Sequence, residues 1–324
     1  MECHVICWFK ILTAIGVLLS TPVYILFLYM LFKFRANPIF NIPFYKLIMA
    51  CGLSDLWYIY HYNLLALPPQ WGIATRFFLW GGKFLATFTI NGMVYIRYCQ
   101  TFSLVLIGLN RFTAICFPLR YVTFWSPTVL LLAIALQFIL PGALMLPLYA
   151  NSCFFQYYAF TEGSNSYRNN SSGQLFMAPI GEKPLCLFYL FGLSGMVSTL
   201  ACISLVGLYV AMFRKIRREK ISPALPSAAH RRQAFAEKKT KDYTQISMTF
   251  SGFAFTVNLV VLTAFNFLIV LMPKLTTQSA LFWLVGMILD LFFCASNPVI
   301  LLMFGSKIRP FFRQLCQTVC CCKS

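Results

Sequence analysis

Apolar residues in this chain run in unbroken windows of roughly 20 to 30 positions, separated by short polar and basic stretches, a pattern that predicts long apolar helices rather than alternating strands. The windows lie at Ile11 to Phe32, Tyr45 to Leu67, Phe84 to Leu109, Pro127 to Tyr149, Leu185 to Phe213, Tyr243 to Met272 and Ser279 to Phe304. Each has the length that a helix needs to cross a hydrocarbon layer of about 30 Å. The predicted architecture is therefore an all-α membrane protein, a seven-transmembrane helix bundle over residues 1–304 and a tail over 305–324. In that tail Arg309-Pro310-Phe311-Phe312-Arg313-Gln314-Leu315 predicts a short amphipathic helix lying on the membrane. Lys10 ahead of the first window also fits a signal peptide, but the window's length and the basic Lys33-Phe34-Arg35 after it favour a retained helix.

Composition agrees: 60% of residues are hydrophobic and 10% charged, with a mean hydropathy of +0.74, which excludes an ordinary soluble domain. The net charge of +18 raises the question of nucleic acid, yet no soluble domain with a basic face is visible, so no nucleic-acid partner is expected. The positive charge follows topology instead. With the amino terminus outside, nineteen of the 26 Lys and Arg fall on the inner side, among them Lys33, Arg35, Lys46, Arg111, Arg120 and the run from Arg214 to Lys241. The positive-inside rule thus sets the amino terminus outside and the carboxyl terminus in the cytosol. The basic stretch between windows five and six suits anionic membrane lipids, an acidic partner protein, or both.

The longest outer loop, Ala150 to Pro184, carries overlapping N-glycosylation sequons at Asn169 and Asn170, which agree with that orientation. Cys153 and Cys186 stand at its two ends and either close it as a disulfide or remain two thiols. Cys316, Cys320, Cys321 and Cys322 lie in the cytosolic tail, where S-acylation is the favoured reading. No histidine accompanies them, so a metal site is the weaker one.

Seven spans with the amino terminus out, Asn110-Arg111-Phe112 at the end of span three, Pro118 and Tyr121 after it, Asn297-Pro298 in span seven and Asp55 in span two together resemble the rhodopsin-like G-protein-coupled receptors. The resemblance covers nearly the whole chain. Asn110 stands where that family has an acid and Leu301 where it has a tyrosine, and span six lacks proline. These departures, with the run from Asn110 and Arg111 through Ala114, Pro118 and Tyr121 to Trp125, look like the nematode serpentine chemoreceptors of class V. The resemblance implies a receptor in the plasma membrane, of a sensory cilium or neuron, that takes a small-molecule or peptide ligand and activates a heterotrimeric G protein. It also implies G-protein coupling through Asn110, Arg111, Pro118, Arg120 and Tyr121, and a polar switch network of Asp55, Asn297 and Pro298. Arg111 read by itself would also fit a side chain snorkelling from the helix end to lipid headgroups.

Two charges stand out by depth. Arg97 precedes Arg111 by fourteen residues and Asp290 precedes Phe304 by fourteen, which sets each about 21 Å from the inner face at 1.5 Å per residue. Charges inside a membrane are costly and usually face the bundle and pair, so Arg97 and Asp290 are expected to form an ion pair at the floor of a ligand cavity, or else to be solvated separately there. Asn297 lies two turns beyond Asp290 on the same face. With Asp55 it forms either a switch or simple polar glue between helices. His61 and Tyr95 belong to an aromatic-rich stretch that fits an odorant pocket and an interfacial belt equally well. No catalytic, metal or cofactor motif is found, and neither enzyme nor cofactor is expected. The rival reading is a transporter of a small polar solute using Arg97, Asp55 and Asp290, against which stand the odd span count and the lack of an internal repeat.

Overall fold

Away from water a backbone must satisfy its own hydrogen bonds, and the apolar windows do so as helices. The computed structural model describes residues 2–150, 153–159, 175–179, 192–221, 249–265, 267–268, 280–305 and 308–321. Its helices are α1 (Glu2–Lys33), α2 (Pro43–His61), α3 (Leu67–Gln70), α4 (Thr75–Cys116), α5 (Tyr121–Phe124), α6 (Pro127–Ala150), α7 (Ser194–Ile221), α8 (Thr249–Phe265), α9 (Ala280–Phe304) and α10 (Arg309–Cys321). Among the described residues four helices are long and apolar enough to cross a membrane, over Ala14–Lys33, Thr75–Cys116, Pro127–Leu148 and Ser194–Arg218. Thr249–Phe265 and, within α9, Ile288–Met303 are shorter apolar helical stretches.

The third window is longer than expected at both ends. After Gly72 and Ala74, both at positive φ, α4 starts at Thr75 rather than Phe84, bends at Gly82 (φ 48°, ψ −134°) and runs on to Cys116 rather than Leu109. It stops there because a residue before proline is pushed out of the helical region: Phe117, ahead of Pro118, has φ −132° and ψ 57°. Arg111 is therefore an interior residue of α4 rather than its last turn's end. The second window departs differently. It leaves α2 at His61 through a π-helical turn, Tyr62–Ala66, just ahead of Pro68 and Pro69, whose missing N–H groups cannot serve the carbonyls of that turn.

α4 is the central element and packs against α2, α6 and α7. The main core joins Tyr24, Phe27 and Met30 of α1 to Phe44, Tyr45 and Ile59 of α2, Ile96 and Ile107 of α4, Leu205 and Tyr209 of α7 and Phe293 of α9. The all-α expectation is corrected at one place. Strands β1 (Phe155–Ala159) and β2 (Leu175–Pro179) form an antiparallel hairpin that pairs Phe155 with Pro179 and Ala159 with Leu175. Strands of five residues give too little alternation to be read from sequence. A second core, with Phe78 and Tyr98 of α4, Met145 and Leu148 of α6, and Phe155 and Tyr157 of β1, lies beneath the hairpin. The hairpin is seated on α4 by Thr87, whose Oγ1 accepts from the Phe155 amide at 2.9 Å and donates to the Phe155 carbonyl at 3.5 Å. Lys83 Nζ lies 3.5 Å from the centre of the Phe154 ring. Cys153, at the foot of β1, is disulfide-bonded. Its expected partner Cys186 and the sequons at Asn169 and Asn170 lie outside the described residues.

α9 turns sharply into α10 at Gly305, whose amide donates to the Leu301 carbonyl at 2.7 Å while Ile308 donates to Gly305 O at 2.9 Å. A Cβ at 305 would collide with the Leu301 carbonyl. α10 then packs Phe311 edge-on against Phe34 and Phe40, each at 5.0 Å, with Leu315 buried.

Candidate functional site

Polar side chains from α1, α2, α4 and α9 meet in three groups along α4. The group nearest the hairpin centres on Arg97, whose Nη2 is paired with Asp290 Oδ1. Tyr58 of α2 donates to the other carboxylate oxygen of Asp290 at 3.0 Å. The guanidinium also lies 4.5 Å from the Tyr58 ring centre and 5.1 Å from that of Phe293, so ring faces contribute where a second acid is lacking. Arg97 is 11% exposed and Asp290 25%, so the acid is the more open partner. The two residues whose depths match by residue counting are thus in direct contact.

One turn along α4, Gln100 reaches a second group. Its Nε2 donates to Asp55 Oδ1 at 2.7 Å and lies 3.1 Å from Cys294 Sγ of α9. Asp55 is fully buried, and its Oδ2 accepts from Asn297 Nδ2 at 2.5 Å and from the Tyr24 hydroxyl of α1. One carboxylate therefore ties four helices together. Pro298, inside α9, has no N–H for the Cys294 carbonyl, which loosens the helix ladder beside this hub. Gln137 of α6 lies 3.5 Å from Ser54 next to it.

The third group surrounds Arg111. Its guanidinium carbon lies 3.2 Å from the centre of the Phe44 ring of α2, and the residue is 7% exposed. Nε and Nη2 meet no hydrogen-bond partner among the described residues. The snorkelling alternative is thereby corrected: a side chain stacked inward on a ring is not directed to headgroups. Neighbouring Asn110 is fully buried and pairs with the Tyr121 hydroxyl, Nδ2 to oxygen at 3.2 Å. Burial pushes the Tyr121 phenol above its ordinary range, so it remains protonated near neutrality. Trp125 Nε1 donates to Thr113 Oγ1 at 2.7 Å. The segment after Pro118 is folded back on α4 by these two bonds, while Pro118 and Arg120 are exposed.

His61 and Tyr95 are engaged elsewhere. His61 Nε2 contacts the Thr89 carbonyl at 2.9 Å, across the α2–α4 seam where Gly92 leaves room for the ring. Tyr95 donates to the Phe138 carbonyl of α6 at 3.1 Å and meets Trp57 edge-on. Cys316 lies half-buried on α10, which also includes Cys320 and Cys321, whereas Cys322 is outside the described residues. Tyr24, Gln100, Phe44 and Thr113 were missed in the sequence. Gln100 alone carried a signal, as a polar residue one turn after Arg97 in an apolar run.

A family model described as serpentine type 7TM GPCR chemoreceptor Srv matches residues 14–321. The serpentine receptor class V-1 of Caenorhabditis elegans is 31% identical over 144 residues, covering 44% of this chain and 46% of that receptor. The chain thus spans about half the length of the curated relative it matches.

Proposed function

We propose, for a chain that belongs to the Srv family of serpentine seven-transmembrane chemoreceptors, that a small molecule or short peptide is sensed above the Arg97–Asp290 pair and that the signal leaves through Arg111 to a heterotrimeric G protein. In this reading the chain crosses the plasma membrane seven times, residues 1–304 form the receptor and 305–324 a cytosolic tail, with the amino terminus outside. The observation that carries it is the ladder of polar groups along α4, in which Gln100 links the Asp55 hub to Cys294, one turn from Asp290 on α9.

A ligand that binds against the open face of Asp290 competes with Arg97 and Tyr58 for it, and any shift of α9 is felt two turns on at Asn297 and Asp55. Arg111 has donors without a partner among the described residues, which suit the carbonyl-rich end of an incoming G-protein helix once its inward packing is released. Asn110 pairs with Tyr121 rather than with Arg111, so the resting state lacks an ionic lock and is held by the Asn110–Tyr121 and Thr113–Trp125 bonds instead. Arg120 and Pro118, being exposed, would meet the partner directly. Supporting features are a glycan at Asn169 or Asn170, a Cys153–Cys186 disulfide, S-acyl chains on Cys316, Cys320, Cys321 and Cys322, and anionic lipid at the basic inner face. His61 and Tyr95 shape the wall of the cavity through the helices they brace.

The test is agonist-dependent nucleotide exchange on a G protein in purified membranes, using ligands found by screening cells through calcium or cyclic nucleotide. Exchange that is lost in Arg111→Ala while ligand binding persists supports the reading. Solute uptake by proteoliposomes without any G protein would establish the transporter instead.

A further inference from the structure

Where α9 ends and α10 turns back, a groove of about 460 Å³ is lined by Val299, Leu302, Met303, Arg309, Phe312 and Arg313. Its floor is apolar: Val299 is 47% and Met303 64% exposed on the outer side of α9, with Phe312 of α10 alongside. Its rim is basic. Arg309 and Arg313 stand one turn apart on α10 and are both exposed. Arg309 Nη2 donates to the Met303 carbonyl at 2.9 Å, closing the last turn of α9 and fixing one guanidinium over the groove. Arg313 is the second, exposed charge on that rim.

An apolar floor with two guanidinium groups at one edge has the chemistry of an amphiphile with an anionic head. Guanidinium groups bind phosphate oxygens in paired hydrogen bonds, and the floor continues the lipid-facing surface of α9. α10 is amphipathic and turns Phe311 and Leu315 into the bundle, which leaves the two arginines on its outer side, where an amphipathic helix lying at a membrane surface meets headgroups rather than acyl chains. We propose that this groove is a binding site for one anionic phospholipid, its phosphate held between Arg309 and Arg313 and an acyl chain laid along Val299, Met303 and Phe312. The inference rests on the proposed cytosolic position of α10 only for which leaflet supplies the lipid, here the inner one. It needs neither agonist nor G protein.

The experiment uses the full-length receptor in mild detergent, with phosphatidylserine or phosphatidylcholine added and bound lipids counted by native mass spectrometry. Wild type is expected to hold one phosphatidylserine in preference to phosphatidylcholine. Arg313→Ala, at an exposed position that takes no part in the Arg309–Met303 bond, is expected to weaken phosphatidylserine about five-fold, the factor equivalent to ~1 kcal/mol for one basic side chain near an anionic head. Val299→Trp, which fills the floor, should remove the adduct while leaving the thermal midpoint unchanged. Equal retention of both lipids, or wild-type retention by Arg313→Ala and Val299→Trp alike, overturns the site. Displacement by inorganic phosphate or glycerophosphoserine as effective as by the whole lipid overturns the part played by the floor. A phosphatidylserine adduct that appears only after hydroxylamine strips thioester-linked chains would show the groove filled by the protein's own acyl group, and overturns it equally. Because the readout is binding in detergent, failure of G-protein activation leaves it untouched, and its failure leaves the receptor reading untouched.

Discussion

Arg97 is held by an acid on one side and two ring faces on the other, and Asp290 by Arg97 and Tyr58, so neither charge keeps its balance when the other is removed. Breaking a buried pair by deleting one partner costs about 3 to 5 kcal/mol because it strands the survivor, whereas deleting both is far milder. Arg97→Met and Asp290→Leu are each expected to lower the thermal midpoint of the purified receptor sharply. The double mutant should regain most of the loss, and simple additivity of the two would argue against direct pairing. Asn110→Asp acts at the same scale but on signalling. Tyr121 stays protonated and donates to the new carboxylate, a stronger bond than the one it makes with the Asn110 amide. Basal nucleotide exchange should fall, and an unchanged or raised basal rate would count against the lock. That Arg97 and Asp290 would meet was legible because an intramembrane charge is rare enough to seek a partner, although the count took Arg111 as a helix end and α4 runs on to Cys116. Tyr24 was not legible, since a tyrosine in an apolar helix is ordinary and only the packing of α1 on α2 and α9 brings its hydroxyl to Asp55.

Helix contacts depend on small residues at fixed points. A Cβ on Gly92 would lie 2.5 Å from His61 Cε1, so Gly92→Ala must push the imidazole away from the Thr89 carbonyl it meets across the α2–α4 seam. Overpacking of this kind costs about 1 to 3 kcal/mol. Thermal unfolding should report that loss, and adding His61→Ser should recover part of it by vacating the space. At the far end of α4, Trp125→Phe keeps the ring but removes its bond to Thr113, a net loss of about 1 kcal/mol. Faster amide exchange over residues 117–126 with α4 unaffected is the expected result. Element boundaries were the least legible part of the sequence. α4 exceeds its window by nine residues at the start and seven at the end because the boundary is drawn by Gly72, Ala74 and Pro118, not by where hydrophobicity fades.

At the scale of the whole molecule, one side of the bundle gathers β1, β2 and a satellite core, and the other gathers Arg111, the fold-back after Pro118 and α10. The sidedness proposed from Lys and Arg awaits labelling, whereas the long apolar helices could be read from hydropathy alone. The hairpin could not be, because its strands are short and their pairing is between segments sixteen or more residues apart. In intact cells an epitope at the amino terminus should be reached without permeabilisation and one after Ser324 only with it. Asn169→Gln together with Asn170→Gln should abolish any glycosidase-sensitive shift in mobility. The opposite labelling pattern would invert the sidedness and with it the coupling surface.

The hairpin end of α4 carries no cysteine between Thr75 and Tyr98, so no disulfide fastens β1 to it there, and beside the packing of Phe155 and Tyr157 the Thr87 hydroxyl supplies the polar contact. A fastening of that kind has a rate of release. The Phe155 amide, which donates to Thr87, should exchange about five-fold faster in Thr87→Val, the factor that corresponds to about 1 kcal/mol of hydrogen bond. The hold of β1 on α4 is then divided between a hydroxyl that water can replace and the packing of Phe155 and Tyr157 on Phe78 and Tyr98, while the disulfide at Cys153 ties the strand elsewhere and would keep it near the bundle if Thr87 let go.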